Sequence, residues 1–255
     1  MLFFLFDYRN YAFSDGKLRN LVDPPCQLDD IRAAISHVRS LDVIDPSKIV
    51  LCGVSLAGGY PLSIAAEDKD IAAVICIIPV VYPKACLKMK GIRYALPYLV
   101  LTRYDHLRGK IGLKPFYLPM LISRSHLEDF LISNYYPGYT FDCSCMQEKK
   151  SIHHIVIKNN LTGQSVIWDN LVPFRSMKNI LEYEAVSDLP KVTCPIMVIA
   201  GKNDSITPYS MLKPMLDPLP NVEFFSYDGN HFNVADKNIS ALTMPRILSF
   251  LAQSL

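Results

Sequence analysis

One serine, one aspartate and one histidine in this 255-residue chain stand where three-part nucleophilic chemistry would need them. Ser55 lies in Gly53-Val54-Ser55-Leu56-Ala57, after the apolar run "KIVLC" and before Gly58-Gly59. A serine hydroxyl attacks a carbonyl only when a base takes its proton and a third group orients that base. A sharp strand-to-helix turn would lift the hydroxyl above a sheet, and small residues two before and two after it let the backbone close up. Gly53 and Ala57 fill those positions, with alanine where glycine is usual. Such a turn also puts the serine at a helix N-terminus, where N–H groups favour developing negative charge. The same residues also suit a plain strand-to-helix turn that uses small side chains for packing alone.

The partners favour the chemical reading. "PIMVIAGKNDSITP" is a strand followed by a polar loop that carries Asp204, and "VEFFSYDGNHFNV" is a strand followed by a loop that carries His231. Ligand-facing groups in open α/β sheets sit just past the carboxyl ends of parallel strands. The chain order Ser55, Asp204, His231, each after a strand, is an order used by nucleophilic triads. Asp228 competes as the orienting acid, but at three residues from His231 it reads as part of the turn. His37 falls on a helix, and His106, His126, His153 and His154 fall in an irregular stretch.

Those loops need a sheet to hold them. Five short apolar runs have the length of buried parallel strands: 2–6, 49–52, 72–78, 196–200 and 222–227. Helical patterns lie between most of them. "DDIRAAISHVRSL" is expected to start a helix at Asp29-Asp30, "LAGGYPLSIAAEDKD" to follow the serine, and "SALTMPRILSFLAQSL" to close the domain. Alternating strands and helices mean an α/β protein with a mostly parallel sheet, organised as one domain over 1–255. From about 83 to 188 the alternation fails, and this stretch is expected to be a helical cap over one end of the sheet. Its "GIRYALPYLVLTRYDHLRGK" reads as a basic amphipathic helix with a solvated charged face, contact with acidic lipid head groups being the alternative. Its aromatics read as the cap's own core, with the lining of an apolar acyl pocket as the alternative.

Composition excludes several classes of function. Half the residues are apolar, a fifth are charged and the net charge is +2, so the chain is globular and has no nucleic-acid footprint. Seven cysteines are an odd number without framework spacing, and Cys143-x-Cys145 lacks the second pair of a zinc site. A reducing, cytoplasmic setting is expected. "MLFFLFDYR" has no basic start and too short an apolar run for secretion or a membrane span, so stable membrane insertion is not expected and a buried strand is.

Several blocks together resemble the α/β-hydrolases, more narrowly the X-prolyl dipeptidyl peptidase-like and fungal polyketide transferase-like group. "FDYRNYAFSDG" is similar to the group's fourth strand and following loop, with Ala12 where glycine is usual. "QLDDIRAAISHVRSLDVIDPSKIVLCGVSLAGGY" resembles its helix, link and nucleophile turn, and "AEDKDIAAVICIIPVV" its next strand. "CPIMVIAGKNDSITP" and "YDGNHFNV" are similar to its acid and histidine loops. The resemblance implies a serine hydrolase acting on an ester, thioester or amide of a small-molecule acyl substrate, with neither metal nor organic cofactor. Ser55 would be the nucleophile, His231 the general base and then acid, Asp204 its orienter, and the Leu56 backbone N–H one oxyanion donor. Acyl transfer to a biosynthetic acceptor and non-catalytic binding through the cleft are the alternatives. The resemblance also implies an N-terminally truncated fold, because the chain begins at the group's fourth strand. The loop that gives the second oxyanion donor would then be missing and activity impaired.

Overall fold

A parallel sheet lies at the centre of the molecule because two of its strands are apolar on both faces. The computed structural model describes residues 1–119, 139–142, 154–159 and 165–255. Strands β1 (Val50–Val54), β2 (Ala73–Ile77), β8 (Ile196–Gly201) and β9 (Val222–Tyr227) form one sheet in the order β1-β2-β8-β9. All three pairings are parallel, with Cys52 opposite Ile75, Val74 opposite Ile196 and Ile199 opposite Phe225. Val74, Cys76, Ile196, Val198 and Ala200 point to one face, and Ala73, Ile75, Met197 and Ile199 to the other. A strand buried on both sides needs no polar alternation, and these two show none.

Helices cover each face. On the first, α1 (Pro24–Arg39), α2 (Tyr60–Glu67) and α6 (Tyr209–Leu216) bring Ile35, Leu62, Ile64, Leu212 and Leu216 into the core. On the second, α7 (Lys237–Ser254) lays Phe250, Ile247 and Leu251 against the strands. Helix α1 starts a turn and a half before the expected Asp29-Asp30. Asp23 caps it by accepting from the Cys26 N–H, and Pro24 takes the first helical position, where its missing N–H costs nothing. Asp29 and Asp30 are freed for ion pairs with Arg32 and Arg9.

The strand expected over residues 2–6 is absent. Met1 to Tyr8 form no element, and Leu5 is 89% exposed. A strand exists through its ladder, and β1, the edge of the sheet, pairs among the described residues with β2 alone. Without a neighbour the apolar run lies along α1, where the Phe4 ring meets His37 at 5.7 Å.

Among the described residues of the insert, strands stand beside the expected helices. The insert opens with α3 (Pro83–Met89) and α4 (Ile92–Lys110) and ends with α5 (Ser176–Glu182). Between them β3 (Tyr117–Pro119) pairs antiparallel with β7 (Leu171–Pro173), while β4 (Tyr139–Asp142), β5 (His154–Asn159) and β6 (Ser165–Asp169) form a separate antiparallel sheet. The overlooked signal was "HIVIKNNLTGQSVIWD", two β-rich runs separated in sequence by polar residues. Asp105, fully buried on α4, ties the insert together. It accepts from the N–H of Phe116 at 3.0 Å, the N–H of Arg175 at 2.9 Å and the Arg175 Nε at 3.1 Å. Cys143, Cys145, His126 and His153 lie outside the described residues.

Candidate active site

The turn at Ser55 is held by glycines that admit no side chain. A Cβ on Gly53 would stand 2.0 Å from the Ala57 carbonyl oxygen, and one on Gly58 would stand 2.9 Å from that of Ile77. Val54 is still extended, Ser55 takes φ +56°, and a 3₁₀ turn over Ser55–Gly58 leads into α2. A positive φ on a residue with a Cβ costs about 1–3 kcal/mol and persists only where the surroundings enforce it. Here they include the Val80 N–H, which donates to the Ser55 carbonyl at 2.9 Å. The first N–H groups of a helical turn lack partners within it, and Leu56 supplies the one next to Ser55.

Asp204 and His231 come from the loops after β8 and β9. Those loops are laced by backbone bonds from Lys202 N–H to the Tyr227 carbonyl at 2.9 Å and from Asn203 N–H to the Gly229 carbonyl at 3.0 Å. So close an approach needs Gly201, where a Cβ would come within 2.6 Å of the Gly229 oxygen. The histidine loop is shaped by Asn230, whose Oδ1 accepts from the Phe232 N–H at 2.9 Å. Its N–H in turn donates to Asn233 Oδ1 at 2.7 Å.

The three side chains meet. Ser55 Oγ lies 2.8 Å from His231 Nε2, and His231 Nδ1 lies 2.6 Å from Asp204 Oδ2. His231 and Asp204 are buried, while Ser55 keeps partial exposure. Asp204 has every lone pair it needs in use. Its Oδ1 accepts the N–H groups of Ile206 and Thr207, each at 2.8 Å, and its Oδ2 accepts the Thr207 hydroxyl at 2.8 Å beside His231. Burial pushes the Asp204 carboxyl up, but the bond and charge of His231 and the Thr207 bonds outweigh it and leave its pKa below the ordinary carboxylate value. An ionised carboxylate at that position fixes the proton on His231 Nδ1 and leaves Nε2 as an acceptor facing Ser55.

Asp228 is not a rival. Its side chain is 84% exposed and pairs with Lys202 at 3.3 Å. His37 and His106 lie on α1 and α4, outside this cluster. Thr207 and Gly201 are the residues that sequence reasoning missed. The "NDSIT" run held a signal for Thr207, since an aspartate readily accepts from backbone and hydroxyl two and three residues on.

A parallel sheet wrapped by helices has known counterparts. The structure of DcsB in complex with its substrate analogue superposes with a TM-score of 0.72 over 98% of this chain and 80% of that one, at 20% identity. The α/β-hydrolase GrgF from Penicillium superposes with a TM-score of 0.68 at 19% identity, covering 97% of this chain and 78% of that one. The chain has the α/β-hydrolase fold. The chain is 28% identical over 239 residues to the quorum-quenching protein AidA of Acinetobacter baumannii, covering 90% of the chain and 69% of the relative. It is 29% identical over 213 residues to the polyketide transferase grgF of a Penicillium, covering 82% and 65%. The expected relation to fungal polyketide transferase-like proteins is therefore borne out. The chain spans about two thirds of the length of these curated relatives. No family model matches it.

Proposed function

We propose that this chain, with its α/β-hydrolase fold, is a serine hydrolase that cleaves an ester, thioester or amide through an acyl-Ser55 intermediate. The observation that carries the reading is the unbroken line of contacts from Ser55 Oγ through His231 to Asp204, at 2.8 and 2.6 Å. His231 Nε2 takes the Ser55 proton as Oγ bonds to the substrate's carbonyl carbon. The carbonyl electrons move to oxygen, and the Leu56 N–H is the donor beside that oxyanion. When the tetrahedral adduct collapses, His231 returns its proton to the departing alcohol, thiol or amine, and the acyl group stays on Ser55. Water, deprotonated by the same nitrogen, then releases the acid and restores the serine. Asp204 remains ionised throughout and stabilises the imidazolium.

The relation to the polyketide transferase grgF favours a second reading, in which an acceptor hydroxyl replaces water in the last step. The first half of the reaction is common to both. A fluorophosphonate probe tests that half: Ser55 of folded protein is expected to be labelled, and labelling should vanish in His231→Ala. No labelling would leave a ligand-binding cleft without turnover as the surviving account. Once acylation is seen, product partition between water and an added acceptor alcohol separates hydrolysis from transfer.

A further inference from the structure

Helix α4 is built inside out. Its inner face carries Ala95, Thr102 and Asp105, all buried, and two of these three are polar. Its outer face carries Ile92, Leu96, Val100, Tyr104, Leu107 and Ile111 at steps of three and four residues, which places them along one stripe. All six are exposed, Ile92 by 71%, Leu107 by 58% and Ile111 by 75%. Arg93, Arg103 and Lys110, also exposed, project from the same side of the helix. At one end the Arg108 guanidinium lies 4.3 Å over the Phe116 ring, which stacks on Tyr104. Residues 83–117 contain eight Lys and Arg against one acid, Asp105, whose charge is spent inside on Arg175.

We infer that the outer face of α4 is a peripheral docking surface for an anionic lipid bilayer. A stripe of large apolar residues about 28 Å long suits the boundary between head groups and acyl chains. Arginines and lysines within that stripe can bury their stems while their charged ends reach lipid phosphates. The charge pattern argues against a second copy as the occupant, since two such faces would bring like charges together in a desolvated contact. A protein partner would need acidic groups set between apolar ones at matching steps, whereas a bilayer supplies both at every point. The contact is adsorption and not insertion: no described helix is long and apolar enough to cross a membrane. It is independent of the proposed chemistry at Ser55.

Flotation of the full chain with vesicles tests the inference. The protein is expected to float with phosphatidylcholine vesicles containing a quarter phosphatidylglycerol at low salt, and about tenfold less with phosphatidylcholine alone or in 0.5 M salt. Val100→Glu with Leu107→Glu should abolish flotation while the circular-dichroism spectrum stays native. Should that pair unfold, Arg93→Gln with Arg103→Gln, which leaves every apolar contact in place, is expected to weaken binding by about fivefold per charge. Three results would overturn the inference: no flotation with the anionic vesicles, flotation untouched by either pair, or a vesicle-free dimer in light scattering that Val100→Glu with Leu107→Glu dissociates.

Discussion

Strand β8 and helix α4 are both rich in large apolar residues, and they place them in opposite ways. Every residue of β8 is buried, six in a row, because neighbouring strands satisfy its backbone while helices cover both its faces. Helix α4 satisfies its own backbone, so its side chains are free to point either way. It buries a carboxylate and exposes its leucines. The sheet is thus a rigid platform fixed by burial, whereas α4 is tied in through the buried Asp105 and leaves a broad apolar side outward. Loops fixed by the first kind of element can be held to the tenths of an ångström that proton transfer needs. An element of the second kind suits contact with something outside the fold.

The comparison is broken most sharply at the platform. Asp204→Asn should leave the loop in place yet lower turnover or probe labelling by about 10⁴-fold, because an amide no longer fixes the proton on His231 Nδ1. The measurement is the rate of Ser55 modification at neutral pH, with thermal unfolding as the control for the fold. A loss of stability in proportion to the loss of rate would make Asp204 a structural residue instead.

At α4 the effect should fall on stability and stay local. Asp105→Ala takes the shared acceptor away from the Phe116 and Arg175 N–H groups and leaves the partly exposed Arg175 guanidinium with its bond to the Leu113 carbonyl, a change expected to cost about 1–3 kcal/mol. Hydrogen exchange is expected to accelerate in α4 and α5, while the amides of β2 and β8 keep their protection. Labelling of Ser55 should change little. Equal acceleration in β8 would show that sheet and insert unfold as one unit.

How much of this was legible in the sequence follows the same division. The β2, β8 and β9 runs, the Ser55 turn and the loops of Asp204 and His231 were readable because each is set by local pattern: an apolar run, then a glycine or polar break. The run at residues 2–6 has the same local pattern and failed, since a strand also needs a partner and no pattern within five residues reports one. Helix α4 was legible as a helix, with bounds close to those observed, but not as to which side it buries. Its apolar residues predicted burial, and the single buried acid, whose partner Arg175 is 70 residues away, decided otherwise. Thr207 was hidden for a milder reason. Its backbone contact with Asp204 is a common local turn, and only the placement of His231 turns its hydroxyl into part of the site.

Thr207 therefore sharpens the comparison at smaller scale. Its hydroxyl shares Asp204 Oδ2 with His231 and lies 3.5 Å from Nδ1, so it positions the acid and touches no reacting atom. A hydrogen bond to a charged group is worth about 1.5–3 kcal/mol, so Thr207→Val should slow Ser55 acylation by about 10- to 100-fold. The loss should appear in kcat more than in KM, and Thr207→Ser, which restores the hydroxyl, should recover most of it. Recovery of stability without recovery of rate would reduce Thr207 to a packing residue.

The smallest effect is on pH, and its sign is fixed by Asp204. Its pKa is lower in the folded protein than the ordinary value near 4, so its ionised form contributes stability that is fully present above about pH 4. As pH falls through the depressed folded value, the carboxyl protonates and that contribution is lost. Asp204→Asn has no such group to titrate. Denaturant unfolding of the two proteins should therefore show a stability gap that narrows as the pH falls below about 4. A gap that widens on acidification would mean that the folded carboxyl binds its proton more tightly than the unfolded one. Burial would then outweigh the bonds from His231 and Thr207, and Asp204 would be no fixed anion for His231 to lean on.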